Sequence, residues 1–183
     1  MRISSEVVST KKQKQVLLRS PNSEDALGMI QAMVEIAATS PHIIGSVEDF
    51  KKKTVEEEQA WIQKHNDDLR GLVIIAEYEN KTIGILNFNG GKSAKTKHRG
   101  SLGISLHSDM RGEGLGYLIF QKLLSEVRKI EGLTQMELSL FSENHSAYQL
   151  YKKVGFQECG RRPRAYRQPD GTFCDEIIMI KTL

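Results

Sequence analysis

The chain has 183 residues, 39% of them apolar, which is enough for one compact domain that buries a core and still carries a cleft. Its 26 basic and 23 acidic residues leave a formal charge of +3 and are mixed along the chain, which argues against a general nucleic-acid binder. No apolar run reaches membrane-spanning length and the first residues lack a signal-peptide core, while Cys159 and Cys174 give neither a disulfide framework nor zinc-ligand spacing, so a cytoplasmic protein without membrane attachment or metal is expected.

In chain order, KQVLLRS (residues 14–20) reads as a short strand. Pro21 to Ser23 read as a turn, with Ser23 as N-cap of a helix that places Leu27, Ile30, Val34 and Ala37 on one face. A second helix starts at Thr54, where Thr54 and Glu57 match a capping box, and it carries Trp61. Residues 72–91 read as two strands about a polar turn at Glu79 to Lys81, the pattern of an antiparallel hairpin. A further strand follows in HRGSLGISLH, with Leu102, Ile104 and Leu106 on one face. Leu115, Leu118, Ile119, Leu123, Val127 and Ile130 recur at helical spacing, so an amphipathic helix is expected from 115 to about 130. TQMELSLF alternates as a strand, NHSAYQLYKKVGF forms a short helix capped by Asn144 or Ser142 and ended at Gly155, and two strands close the chain near FQECGR and CDEIIMIK. The expectation is one α+β layer structure over residues 1–183, with about seven strands and four helices.

Three glycines, Gly112, Gly114 and Gly116, stand between the third hairpin-region strand and this long helix in the stretch MRGEGLG. Glycine costs up to about 1 kcal/mol against alanine in helical positions, so their presence implies a close approach to the backbone. A glycine turn at a helix start gathers free N–H groups and the positive end of the helix dipole around one point, and Arg111 adds a permanent cation. A pyrophosphate suits such a point. Two other phosphate motifs fail: the dinucleotide fingerprint meets Tyr117 at its last glycine, and a P-loop ending in GGKS meets Leu86 where its first glycine belongs. GGKS is therefore expected to be a plain loop.

What remains is R-x-x-G-x-G at Arg111, Gly114 and Gly116, which resembles the acetyl-CoA pyrophosphate loop of the GNAT superfamily of N-acetyltransferases. The stretch NHSAYQLYKKVGF is similar to a second signature of that family, matching it at Asn144, Ala147, Leu150, Tyr151, Lys153, Gly155 and Phe156. The resemblance spans residues 98–156 and implies a three-layer fold with a mixed, mostly antiparallel sheet, acetyl-CoA as cosubstrate, and transfer to a primary amine. It implies that Ile104, Ser105 and Leu106 pair with the pantetheine arm, that Arg111, Gly112, Glu113, Gly114, Leu115 and Gly116 hold the pyrophosphate, that Asn144 caps its helix and contacts the cofactor, and that Tyr151 is the general acid for the leaving thiolate. Tyr151 as a plain core residue and Asn144 as a cap alone are the competing assignments.

The base is harder to place. Many relatives carry a glutamate two residues ahead of the strand glycine, and Ser101 stands there instead. Glu77, Glu137 and His98 are the substitutes at hand, with a neutral amine or loss of the proton to solvent as the alternative. Four arginines around Tyr166 (residues 161–167) fit a solvated hairpin, an anchor for an acidic group, or a nucleic-acid patch, the first being preferred. The N-x-Ser/Thr triplets at Asn80 and Asn144 require a secretory route to be modified. The expected activity is an N-acetyltransferase acting by direct attack, on an amino acid, polyamine, aminoglycoside or protein N-terminus, with monomer and homodimer both open; a non-catalytic acyl-CoA-binding regulatory domain is the rival.

Overall fold

The computed structural model describes all residues 1–183 and contains one eight-stranded sheet with five α-helices. The strands are β1 (Glu6–Ser9), β2 (Gln15–Arg19), β3 (Gly71–Tyr78), β4 (Lys81–Gly90), β5 (Arg99–Leu106), β6 (Gln135–Phe141), β7 (Gln157–Arg167) and β8 (Phe173–Thr182). The helices are α1 (Ala26–Thr39), α2 (Val47–Lys51), α3 (Val55–Asp67), α4 (Leu115–Val127) and α5 (His145–Lys153). Sheet order is β1-β2-β3-β4-β5-β6-β8-β7, and every pairing is antiparallel except β5 with β6. A parallel pair needs a crossover, and α4 supplies it.

Two elements exceed the sequence expectation. Strand β1 is four residues long and three of them are exposed, so it shows no alternation; it exists by pairing with β2 from Glu6↔Leu18 to Ser9↔Gln15. Helix α2 has five residues and forms around the Ser46–Asp49 capping box, in which Ser46 Oγ accepts from the Asp49 N–H. At α1 the cap also differs. Asn22 caps a short 3₁₀ turn before the helix, and the buried residues of α1 are Ala26, Met29, Ala32 and Ile36 instead of the Leu27 stripe. Leu27 is 52% exposed. Almost every position of α1 is apolar, so periodicity could not choose its inner face.

The sheet separates two cores. Leu72, Ile74 and Ala76 of β3 face α4 and α5, packing with Leu115, Ile119, Phe120, Leu123 and Phe156, whereas Val73 and Ile75 meet Ala26 and Met29 of α1 and Ile62 of α3. Alternate residues of one strand thus serve opposite layers, and the wholly buried run LVIIA follows from that position. Phe120 and Phe156 are fully buried, and truncating either to alanine costs about 3–5 kcal/mol.

The β3–β4 turn places Glu79 and Asn80 at φ 50° and 60°, the geometry of a two-residue primed turn. GGKS lies in the β4–β5 loop, where Gly91 N–H donates to the Arg99 carbonyl at 2.8 Å. The arginine-rich stretch is the sheet-edge strand β7, with Arg161 paired to Glu158, Arg162 to Glu176 at 3.1 Å, and Arg164 stacked 3.8 Å from the Phe173 ring centre. Neither cysteine forms a disulfide; Cys159 is exposed and Cys174 buried. No helix is long and apolar enough to cross a membrane.

Candidate active site

Strand β5 is paired with β4 along its whole length, but its ladder with β6 stops after Ser101↔Glu137. Beyond Ser101 the two parallel strands part, leaving one edge of β5 open. Hydrogen bonding alternates along a strand, and the His107 N–H donates to the Ile83 carbonyl of β4 at 2.9 Å. The N–H and C=O groups of Ile104 and Leu106 therefore point to the open edge, while those of Ser105 are spent on β4.

The glycine loop follows at the end of this edge. Gly112 and Gly114 take φ of +75° and +83°, a region costly for other residues, and Gly114 is the cap of α4 with no side-chain hydrogen bond. The N–H groups of Gly112 through Tyr117 reach no acceptor in the protein. Six consecutive free donors at a helix N-terminus suit an anion with several oxygens. Gly116 answers a different need: a Cβ there would lie 2.8 Å from Leu150 Cδ2, so glycine lets α5 close against the helix start.

Glu113 is turned inward. Its carboxylate, 1% exposed, accepts from Lys14 Nζ at 2.8 Å and Thr10 Oγ1 at 3.1 Å, and its carbonyl accepts from the Lys11 N–H at 2.9 Å. Lys14 holds this carboxyl below the usual glutamate range. Glu113 can offer an anion only its N–H; its side chain fastens the loop to the β1–β2 hairpin. That clamp leaves Lys11 free, with its stem alongside Gly114.

Helix α5 forms the opposite wall. Asn144 Oδ1 accepts from the Ala147 N–H at 3.2 Å, so Asn144 and not Ser142 is the cap, and its amide NH₂ remains unbonded. Tyr151 is buried against Phe120, edge-to-face at 5.7 Å. Its hydroxyl has no partner, and burial alone pushes it up to about 12.

These residues enclose a cavity of about 500 Å³ lined by Ile104, Ser105, Leu106, Arg111 through Gly116, Asn144 and Tyr151, together with Lys11 and Lys153. Every cofactor-side residue expected from the sequence, and Tyr151 with them, reaches this one cleft. A second cavity of about 290 Å³ adjoins it, and His42, Ile43, Ile104, Ser105, Asn144 and Tyr151 line both. Tyr151 thus stands where the two cavities meet.

The candidate bases do not gather there. Glu77 is bound to Arg19 at 2.6 Å, Glu137 to Arg99 at 3.0 Å, and neither these, His98 nor Ser101 lines either cavity. His42, on the α1–α2 loop, is the titratable side chain that the sequence reading missed. Burial holds its imidazole below the ordinary value, and its Nδ1 is enclosed without a partner, which disfavours the imidazolium. A lone histidine in a loop outside any motif carries no signal in sequence.

The acetyltransferase (GNAT) family model matches residues 30–156. Among solved structures, a GNAT acetyltransferase from Streptococcus pneumoniae superimposes with a TM-score of 0.87 at 22% identity, covering 92% of this chain and 99% of that one. A ribosomal-protein-alanine N-acetyltransferase from Brucella melitensis gives 0.78 at 21%, covering 91% and 99%. A Salmonella typhimurium protein solved with its cofactor acetyl-CoA gives 0.78 at 19%, covering 92% and 94%. The chain belongs to the GNAT family; it is an acyltransferase, and its cosubstrate is acetyl-CoA.

Proposed function

We propose that this GNAT acetyltransferase moves the acetyl group directly onto a primary amine, without an acyl-enzyme, with residues 1–183 acting as one domain. The observation that carries the reading is the meeting of two cavities at Tyr151, whose hydroxyl is unbonded: the glycine loop with its free N–H groups lines one of them and not the other. The extent of the domain is supported by the β1–β2 hairpin, which precedes the matched region yet closes on the glycine loop through Glu113. Direct attack is supported by the cysteines, since neither lines a cavity.

In this reading the free N–H groups from Gly112 to Tyr117, with Arg111 and Lys11, hold the pyrophosphate, and the open edge at Ile104 and Leu106 aligns the pantetheine arm as an added strand. The same edge N–H groups stabilise charge on the thioester oxygen as the amine attacks. Tyr151 then donates to sulfur as the C–S bond breaks. Full transfer from a phenol near 12 to a thiolate of a thiol near 8.5 is uphill by about 5 kcal/mol in the resting site, so Tyr151 acts chiefly as a hydrogen-bond donor to developing thiolate. No carboxylate stands free at the junction, that of Glu113 being buried and paired with Lys14, and burial weakens His42 as a base, so the ammonium loses its proton to water before attack.

The test is calorimetric titration of acetyl-CoA followed by thiol release with a panel of primary amines. Tight binding with amine-dependent thiol release is expected. Binding without release from any amine would overturn the catalytic reading, and absence of binding would overturn the assignment of the glycine loop.

A further inference from the structure

The second cavity is walled by Phe50, Leu102, Leu140, Phe141 and Tyr166, with Phe141 and Tyr166 stacked at 3.9 Å and the His42 ring 5.8 Å from Phe141. No Asp, Glu, Lys or Arg lines it. The charged groups nearby are spent or outside its lining: Glu176 accepts the Tyr166 hydroxyl at 2.9 Å and pairs with Arg162, while Glu143, Arg111 and His145 act on His42 through their charge without lining this cavity. Its polar lining is neutral. Asn87, Ser105 and Ser139 face it, and Asn144 brings its free NH₂ to the junction.

We propose that the acceptor is the unblocked α-amine of a peptide whose first residue is apolar, seated with that side chain among the aromatic walls of the second cavity. The proposal rests on the acetyltransferase reading above. Two physical arguments select this class. A second ammonium, as in a polyamine or aminoglycoside, would be stripped of water in a cavity that gives it no carboxylate, and the carboxylate of a free amino acid would find no cation there. A peptide brings neither charge next to its amine, and its first amide finds neutral partners in Asn87 and Ser139.

The second argument is protonation. A site with no free carboxylate, whose one imidazole is weakened as a base by burial, acts on the fraction of amine already neutral. An α-amine titrates near 7.7–8.0 and an alkyl ammonium near 10.4, so at pH 7.5 the neutral fraction of the peptide is about 200-fold larger. The lower nucleophilicity of the weaker amine takes back part of that advantage. Water takes one proton from the ammonium, nitrogen attacks the carbonyl carbon, the C–S bond breaks while Tyr151 donates a hydrogen bond to sulfur, and the thiolate takes its proton from the new amide nitrogen through solvent. One proton is released per acetyl group.

The test is thiol release at pH 7.5 with an unblocked Phe-Ala-Gly amide, spermidine, kanamycin and free phenylalanine, beside a calorimetric titration of acetyl-CoA. The peptide is expected to exceed each other amine in kcat/KM by at least about 10-fold, with a pH profile that follows the peptide amine, half-maximal near pH 8 and level from about pH 9. Phe50→Ala should cost the peptide about 10-fold in kcat/KM while acetyl-CoA affinity stays unchanged, and Ser139→Asp should raise spermidine turnover. Preference for spermidine, kanamycin or the free amino acid, or an acid limb that disappears in His42→Gln, would overturn the proposal and leave the acetyltransferase standing. Acetyl-CoA binding with no turnover of any amine would overturn both.

Discussion

Replacing Tyr151 by phenylalanine removes one oxygen and little else, because that hydroxyl is unbonded and the ring is fixed by Phe120 and Phe156. A hydrogen bond to a charged partner is worth about 1.5–3 kcal/mol, so loss of the bond to developing thiolate should lower kcat about 10- to 150-fold. The affinity for acetyl-CoA should stay the same, since the bond is made only as sulfur gains charge. Stability supplies an independent readout. The tyrosine titrates near 10 unfolded and at about 12 folded, so the unfolded chain ionises first as pH rises. The wild type therefore holds its full stability below pH 10 and loses on the order of 3 kcal/mol between pH 10 and 12, a loss that Tyr151→Phe lacks. Thiol-release kinetics, calorimetry and urea unfolding at pH 8 and pH 11 measure the three quantities. An unchanged kcat with unchanged affinity would refute the role given to the hydroxyl, and equal alkaline destabilisation of both proteins would refute its burial.

Gly114→Ala forces a side chain into φ +83° and should cost about 1–2 kcal/mol in unfolding free energy, measured by urea denaturation, with weaker acetyl-CoA binding as the cap distorts. Lys11→Ala should weaken acetyl-CoA about 2- to 10-fold by calorimetry, and the difference from wild type should shrink at high salt. The Glu113 carboxyl is held low by Lys14, so its stabilising contact is present above the ordinary glutamate range and is lost as pH falls through the folded value. Glu113→Gln should thus be less stable than wild type at neutral pH, with the two curves converging in acid. In a proton NMR titration, His42 should stay neutral until below its ordinary value, and a normal or raised value would contradict its burial.

The cofactor end of this protein was legible because its chemistry is local. Free N–H groups, positive φ and a helix start all arise within Arg111–Gly116, and a cap and a tyrosine at fixed helical spacing arise within Asn144–Tyr151, so a sequence that must build them has to display them. The order of the main strands and helices was equally readable from alternation and capping. What only the tertiary structure decided depends on who sits across the sheet. It chose the inner face of α1, where Met29 and Ile36 are buried and Leu27 is not, because a helix with apolar residues on nearly every side has no preferred face until β3 and α3 meet it. It gave β1 its existence through β2, and it spent Glu113 on the hairpin at Thr10 and Lys14, about a hundred residues away in the chain. Above all, it brought His42, Phe50, Phe141 and Tyr166 to one uncharged cavity beside Tyr151, an arrangement that no single stretch of sequence carries because its walls come from the α1–α2 region, β5, β6 and β7, which are far apart along the chain.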